Sequence, residues 1–173
     1  MRKIIISGGP CSGKTSLLKS LAEDGYSTIS EAAREIIEEE KIKKRGKLPW
    51  TDVKEFQIKV IKRQKIKEFE LKEEEIVFLD RGLPDNIAYG ELENIDFGEN
   101  IIEDIKNANY EKVFILDLLT DYQKDSERKE SIEEAKIIHD KICEVFERLR
   151  FDVINVPYLQ IEERKKYVLG RIN

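Results

Sequence analysis

Residues 8–15, Gly8-Gly9-Pro10-Cys11-Ser12-Gly13-Lys14-Thr15, have the G-x-x-x-x-G-K-T spacing of a phosphate-binding loop. Glycines at both ends let the backbone wrap an anion with several N–H groups turned inward. Lys14 would reach the β- and γ-phosphates and the Thr15 hydroxyl would ligate magnesium, while Ser16 lies in the first turn of a helix whose positive dipole end faces the same anion. Residues 8–16 are therefore expected to cradle a triphosphate, with Cys11 a small loop residue. A second group is Asp80-Arg81-Gly82-Leu83-Pro84-Asp85. Asp80 closes an apolar run, where a magnesium-linked carboxylate would stand, and Arg81 adds a cation. The same residues also read as a helix start, with Pro84 at its first position and Asp85 in its first turn. Glu31 and Arg34 form a third group, one helical turn apart. Glu31 suits either a site or the first turn of a helix, and Arg34 either pairs with it or touches a substrate.

Short apolar runs alternating with helical patterns must position these residues, the mark of a βαβ series. The strands are expected at Lys3–Ser7, Tyr26–Ile29, Ile76–Leu79, Lys112–Leu116 and Asp152–Val156. Helices are expected from Lys14 to Asp24-Gly25, from Glu31 to Lys43, from Thr51 or Asp52 to Lys72, and from Gln160 to Arg171. The third of these carries Val53, Phe56, Val60 and Phe69 as its apolar stripe. Another helix opens at Ser131, whose capping box is closed by Glu134. The pattern gives a three-layer α/β/α fold with a five-stranded parallel sheet, whose ligands belong at the carboxyl ends of the strands. One domain spans residues 1–173, with a polar lid segment at about 118–130.

The composition, 40% apolar and 39% charged, is that of a folded chain with heavily solvated helix faces. A net charge of −5 gives no overall basic field for nucleic acid, and Lys41-Ile42-Lys43-Lys44-Arg45 reads as a cationic helix end. Two distant cysteines, Cys11 and Cys143, and the single His139 suggest neither a disulfide framework nor a zinc site, and His139 is expected on a helix surface. No apolar run is long enough for a bilayer. A cleaved leader would remove the phosphate loop, so a cytoplasmic location is expected.

As a set, Gly8–Thr15, Glu31-Ala32-Ala33-Arg34-Glu35-Ile36-Ile37 and Phe78-Leu79-Asp80-Arg81-Gly82-Leu83-Pro84-Asp85 resemble the signature blocks of one family. It is the small P-loop AAA-domain ATPase/kinase family that includes the ribosylnicotinamide kinase domain and is related to the deoxynucleoside kinases. Asp125-x-x-Arg128-x-Glu130, with Val156-Pro157 and Arg164, resembles its lid and base-binding segments, although Ser126-Glu127 stand where the family often has a glycine. The resemblance implies a kinase-like strand order, with the Asp80 strand beside the phosphate-loop strand. It also implies that Glu31 faces an acceptor and that Arg128 is the lid arginine.

Phosphoryl transfer needs cationic clamps and a group that orients the attacking hydroxyl. Lys14, Arg81 and Arg128 supply cations; Glu31 and Asp80 supply carboxylates. Trp50 and Gln57 are expected at the acceptor together with Glu31, Arg34 and Asp85, whereas Phe56 fits the apolar stripe of its helix and Tyr89 is a weaker contact. The leading expectation is an ATP-binding, magnesium-dependent phosphotransferase acting on a small hydroxyl-bearing, nucleoside-like acceptor. ATP is favoured over GTP because no Asn-Lys-x-Asp guanine-reading motif occurs. A nucleoside triphosphatase without a separate acceptor, or a nucleotide-responsive binding module, would use the same loop.

Overall fold

The computed structural model describes residues 2–42, 52–71, 76–119 and 131–172. Strand β1 (Arg2–Ser7) carries Ile4, Ile5 and Ile6, none of which reaches solvent. A strand covered on both faces has no polar side to alternate with. It runs through the glycine-rich loop into α1 (Lys14–Glu23), which stops just before Gly25 at φ 91°. Then follow β2 (Ser27–Ile29), α2 (Ala32–Ile42), α3 (Val53–Phe69), β3 (Ile76–Asp80), α4 (Leu83–Leu92) and α5 (Glu99–Lys106). The series closes with β4 (Lys112–Leu116), α6 (Ile132–Arg148), β5 (Val153–Val156) and α7 (Ile161–Leu169).

The strands form one five-stranded sheet in the order β2-β3-β1-β4-β5, parallel throughout. Ile6 stands opposite both Asp80 and Phe114, so β1, β3 and β4 end at one edge. The chain steps to one side of β1 and later to the other, which opens the crevice where such sheets take ligands. Alternation along the strands then divides the core. Ile5, Val77, Leu79, Val113 and Ile115 pack with residues of α3 to α6, among them Ile61, Ile87, Ile105 and Phe146. Ile4, Ile6, Phe78, Phe114 and Leu116 pack with Leu17 and Leu21 of α1 and Val168 of α7. Burying each such side chain stabilises the fold by about 1.5–3 kcal/mol. The three-layer fold is thus the expected one, including the Asp80 strand beside the phosphate-loop strand.

Several boundaries differ from expectation. Helix α2 begins at Ala32, so Glu31 precedes the helix rather than occupying its first turn. Helix α3 starts after Asp52, whose carboxylate accepts the Glu55 N–H at 3.0 Å, and ends at Phe69 rather than Lys72. Phe69 is 90% exposed and does not belong to the stripe. Nine residues beyond Val60, at about 100° per residue, it falls on the opposite face. Phe56 and Val60 do face inward, against Ala32 and Ile36 of α2. Helix α5 was not anticipated, and α7 is shorter than expected at both ends. Ser131 and Glu134 cap α6 reciprocally, at 3.1 and 2.6 Å. Among the described residues no helix is long and apolar enough to cross a membrane.

Candidate functional site

The phosphate loop takes a shape that only its sequence permits. Gly8 sits at φ 132°, and a Cβ there would lie 2.6 Å from the Leu116 carbonyl oxygen. Gly13, at φ 85°, also uses the left-handed region, as does Cys11 at φ 62°. Ser12 is fully buried, and Thr15 and Ser16 are exposed at the start of α1. The Lys14 ammonium turns back over the loop, donating to the carbonyls of Gly8 at 3.0 Å and Gly9 at 2.8 Å and to Ser12 Oγ at 3.2 Å. Burial lowers its pKa to about 7, with the Arg81 charge acting in the same direction against the opposing carboxylates.

Arg81 joins this loop to β2 and α4. It occupies the left-handed region at φ 68°, held there by its own N–H on the Ile6 carbonyl at 3.1 Å. Its guanidinium donates to Glu31 Oε1 at 3.2 Å, to the Gly8 carbonyl at 3.2 Å and to Asp85 Oδ1 at 3.1 Å, and lies 5.1 Å from the centre of the Tyr89 ring. Glu31 also accepts from Arg34 at 3.2 Å, the first of the two roles left open for Arg34. Burial pushes the Glu31 pKa upward, but Arg81, Lys14 and Arg34 outweigh it and hold the carboxyl below its ordinary value.

Asp80 behaves in the opposite way. Burial first, and then the negative charge of Glu31, raise its pKa to about 6. Its buried Oδ1 has no hydrogen-bond partner among the described residues. Such a carboxylate is what a cation would satisfy. Two carboxylates at one sheet edge are therefore driven apart in acidity, Glu31 held ionised by the neighbouring cations and Asp80 made the weaker acid.

Asp85, expected at the acceptor, is enclosed by protein groups. It is 1% exposed, and its carboxylate is taken up by Ser7 Oγ at 2.5 Å, the Gly82 N–H at 2.8 Å and Arg81. The carboxylate ties Arg81 to the start of α4. Gln57 is buried on α3 and, with Tyr89, Glu134 and Ile138, lines a cavity of about 320 Å³ on the Tyr89 side of the Arg81 cluster. Trp50, Arg128 and most of the lid segment, expected at the site, lie outside the described residues, as do Lys43 to Arg45 of the basic cluster.

Two further side chains hold the loop: Arg164, which the family resemblance already marks, and His139, which was not foreseen as a site feature. Arg164, 2% exposed on α7, donates to the Ser12 carbonyl at 2.5 Å and stands 5.6 Å from the Tyr158 ring. Its signal is a cation between Ile161 and Val168, on the buried stripe of α7. His139 of α6, expected on an open surface, is half-buried and accepts the Gly9 N–H through Nδ1 at 3.3 Å. No local spacing connects residue 139 to residue 9.

A strand, a glycine-rich turn and a helix, set at the reversal point of a parallel sheet with the Asp80 strand alongside, define a P-loop nucleotide-binding fold. A family model described as an AAA domain matches residues 3–164, and the chain belongs to that family. Curated proteins give no sequence match. Among solved structures, the chain resembles deoxyadenosine kinase from M. mycoides with bound dATP at 18% identity and TM-score 0.69, over 100% of both chains. It resembles thymidylate kinase from Ehrlichia chaffeensis at 17% identity and TM-score 0.70, over 99% of this chain and 98% of that one. NadR in complex with NR matches at 18% identity and TM-score 0.76, over 99% of this chain and 50% of that one. At these identities the likeness is one of fold.

Proposed function

We propose that the protein is an ATP-dependent, magnesium-requiring phosphotransferase that phosphorylates a small hydroxyl-bearing, nucleoside-like acceptor. The observation that carries this reading is Glu31, an ionised carboxylate bonded to Arg81 beside the phosphate loop and separate from Asp80. Hydrolysis needs one oriented water; a second carboxylate suits an organic hydroxyl, and Tyr89, which meets the Arg81 paired with that carboxylate, also lines a cavity of about 320 Å³. The kinase descriptions of the solved relatives agree with it.

In this reading the inward N–H groups of residues 11–16 hold the phosphates, and Lys14 exchanges its loop carbonyls for phosphate oxygens. Asp80 and Thr15 would hold magnesium, which fits the unpartnered Asp80 oxygen and the exposed Thr15 hydroxyl. When bound, the metal supplies positive charge to the phosphate oxygens. Glu31 orients the acceptor hydroxyl and receives its proton as the oxygen bonds to the γ-phosphorus and ADP departs. Lys14 and Arg81 neutralise charge on the transferring group, and Gln57 and Arg34 border the acceptor. Arg128 and Trp50, outside the described residues, would serve the lid and the acceptor in this reading, a lid being what excludes water from such a reaction.

The test is product analysis with γ-labelled ATP, magnesium and a panel of nucleosides. Label on a nucleoside supports transfer, and free phosphate alone with every acceptor overturns it in favour of a hydrolase. Glu31→Gln is expected to lower transfer by about 10²–10⁴-fold while nucleotide affinity stays within a few-fold. Undiminished transfer in that variant would remove Glu31 from the mechanism.

A further inference from the structure

The Gly8 carbonyl and the Gly9 N–H belong to one peptide plane, and that plane is held from both sides. Lys14 Nζ and Arg81 donate to the carbonyl at 3.0 and 3.2 Å. On the other side the N–H is accepted by His139 Nδ1 at 3.3 Å. The fit is close: a Cβ on Gly9 would lie 2.8 Å from the Ala135 carbonyl oxygen and 2.9 Å from both His139 Cβ and a Leu118 methyl. Glycine on both sides leaves the plane little intrinsic resistance to flipping. Flipped, it would turn the carbonyl away from the two cations and present the N–H to them.

We infer that His139 is a positioning residue for the phosphate loop, its neutral Nδ1 fixing the orientation of the 8–9 peptide from the neighbouring helix. Accepting at Nδ1 requires the proton on Nε2, which faces Cys143 Sγ one turn along α6 at 3.6 Å. A protonated imidazole has no acceptor, so its Nδ1–H would point at the Gly9 N–H and the peptide loses its anchor. The charged and titratable groups that face the ring are Asp140 and Cys143 on α6, Asp117 after β4, and Lys14 beyond the loop. Burial, the largest influence, with Lys14 in the same direction, keeps the ring neutral against the two carboxylates. The role goes beyond phosphoryl transfer but rests on the loop binding a nucleotide.

His139 is the single histidine of the chain, so its ring resonances need no assignment. Nitrogen-15 NMR of the wild-type protein is expected to show the Nε2–H tautomer at pH 7.5 and a midpoint below the ordinary value of about 6.5. The Gly9 amide is expected to shift with the same midpoint. An Nδ1–H tautomer, or a Gly9 amide indifferent to that titration, overturns the inference even if no variant can be prepared. The second measurement is the Kd of a non-hydrolysable ATP analogue with magnesium. His139→Asn, whose Oδ1 stands where Nδ1 does, is expected to bind as wild type at pH 7.5, and His139→Leu up to about tenfold more weakly. Between pH 7.5 and 5.5 the wild type should lose several-fold in affinity relative to His139→Asn, a ratio that cancels the titrations of Lys14 and Asp80. A constant ratio, or His139→Leu equal to wild type, refutes the role. If the wild type binds no nucleotide, the proposed function fails, and the tautomer and amide shift still decide whether the clamp exists.

Discussion

Asp80 and Lys14 carry unequal costs at the scale of single residues. The Asp80 carboxyl titrates near pH 6 in the fold and near 3.8 when unfolded. A raised carboxyl pKa opposes folding wherever the group is ionised in both states, above about pH 6, and the penalty disappears as the pH falls toward the unfolded value. Asp80→Asn removes it. The variant is therefore expected to be more stable than wild type at pH 7.5 by about 1–3 kcal/mol, while losing magnesium-dependent turnover. Thermal melts at pH 7.5 and pH 4.5 check this, because the advantage should shrink at the lower pH.

Lys14 gives a proton-linkage prediction. With a pKa of about 7 its amine is mostly neutral at pH 8, and a bound triphosphate restores the charge. Binding at pH 8 should then take up close to one proton per nucleotide, and uptake from Lys14 should vanish by pH 6, where the amine is already charged. Calorimetry in two buffers of different ionisation heat reads this directly, and Lys14→Met should abolish the uptake.

Among the elements, the loop between β1 and α1 tolerates least. Gly8→Ala would force a methyl group to within 2.6 Å of the Leu116 carbonyl oxygen at a φ of 132°. It should abolish nucleotide binding, whereas Ser131→Ala, at the cap of α6, should cost about 1 kcal/mol of stability and leave binding intact. Strands β1, β3 and β4 were legible as unbroken apolar runs, β5 as a short one interrupted by Asn155, and α1 from the helix that a phosphate loop must open. Helix α5 was not, because its apolar face of Ile101, Ile102 and Ile105 spans barely two turns, too short for its period to stand out. The site divides in the same way. Lys14, Asp80, Arg81 and Glu31 stood in recognisable local contexts. The contacts of Arg164 with Ser12 and His139 with Gly9 join positions 152 and 130 residues apart, which local spacing cannot reveal.

Over the whole molecule, one sheet serves two separate cores and couples them. Phe114 and Phe78 face α1 and α7, while Val113 and Leu79, one position along the same strands, face α3 to α6. Phe114→Ala should cost about 3–5 kcal/mol and still unfold in a single transition, since neither helical layer keeps a partner without the sheet. Differential calorimetry would show two transitions if the layers were independent. Helices α2 and α3 form a further shared unit, joined by the ion pairs of Glu35 with Lys67, Glu39 with Arg63 and Glu40 with Lys59. The Gln57 wall of the cavity is fastened by these pairs to the helix that follows Glu31.

The three isoleucines of β1 have a consequence for accuracy. With both faces apolar, a slip of one residue along the sheet would still bury an isoleucine at nearly every position, so hydrophobicity scarcely distinguishes the right alignment from the wrong one. A slip of that size moves the loop by about 3.3 Å, enough to part Lys14 from Asp80. What marks the alignment are the polar ends: Arg2 bonded to Glu111 at 2.6 and 2.7 Å, and Ser7 bonded to Asp85. These two contacts act as the rulings of a vernier, and the strand between them transmits their setting to the phosphate loop.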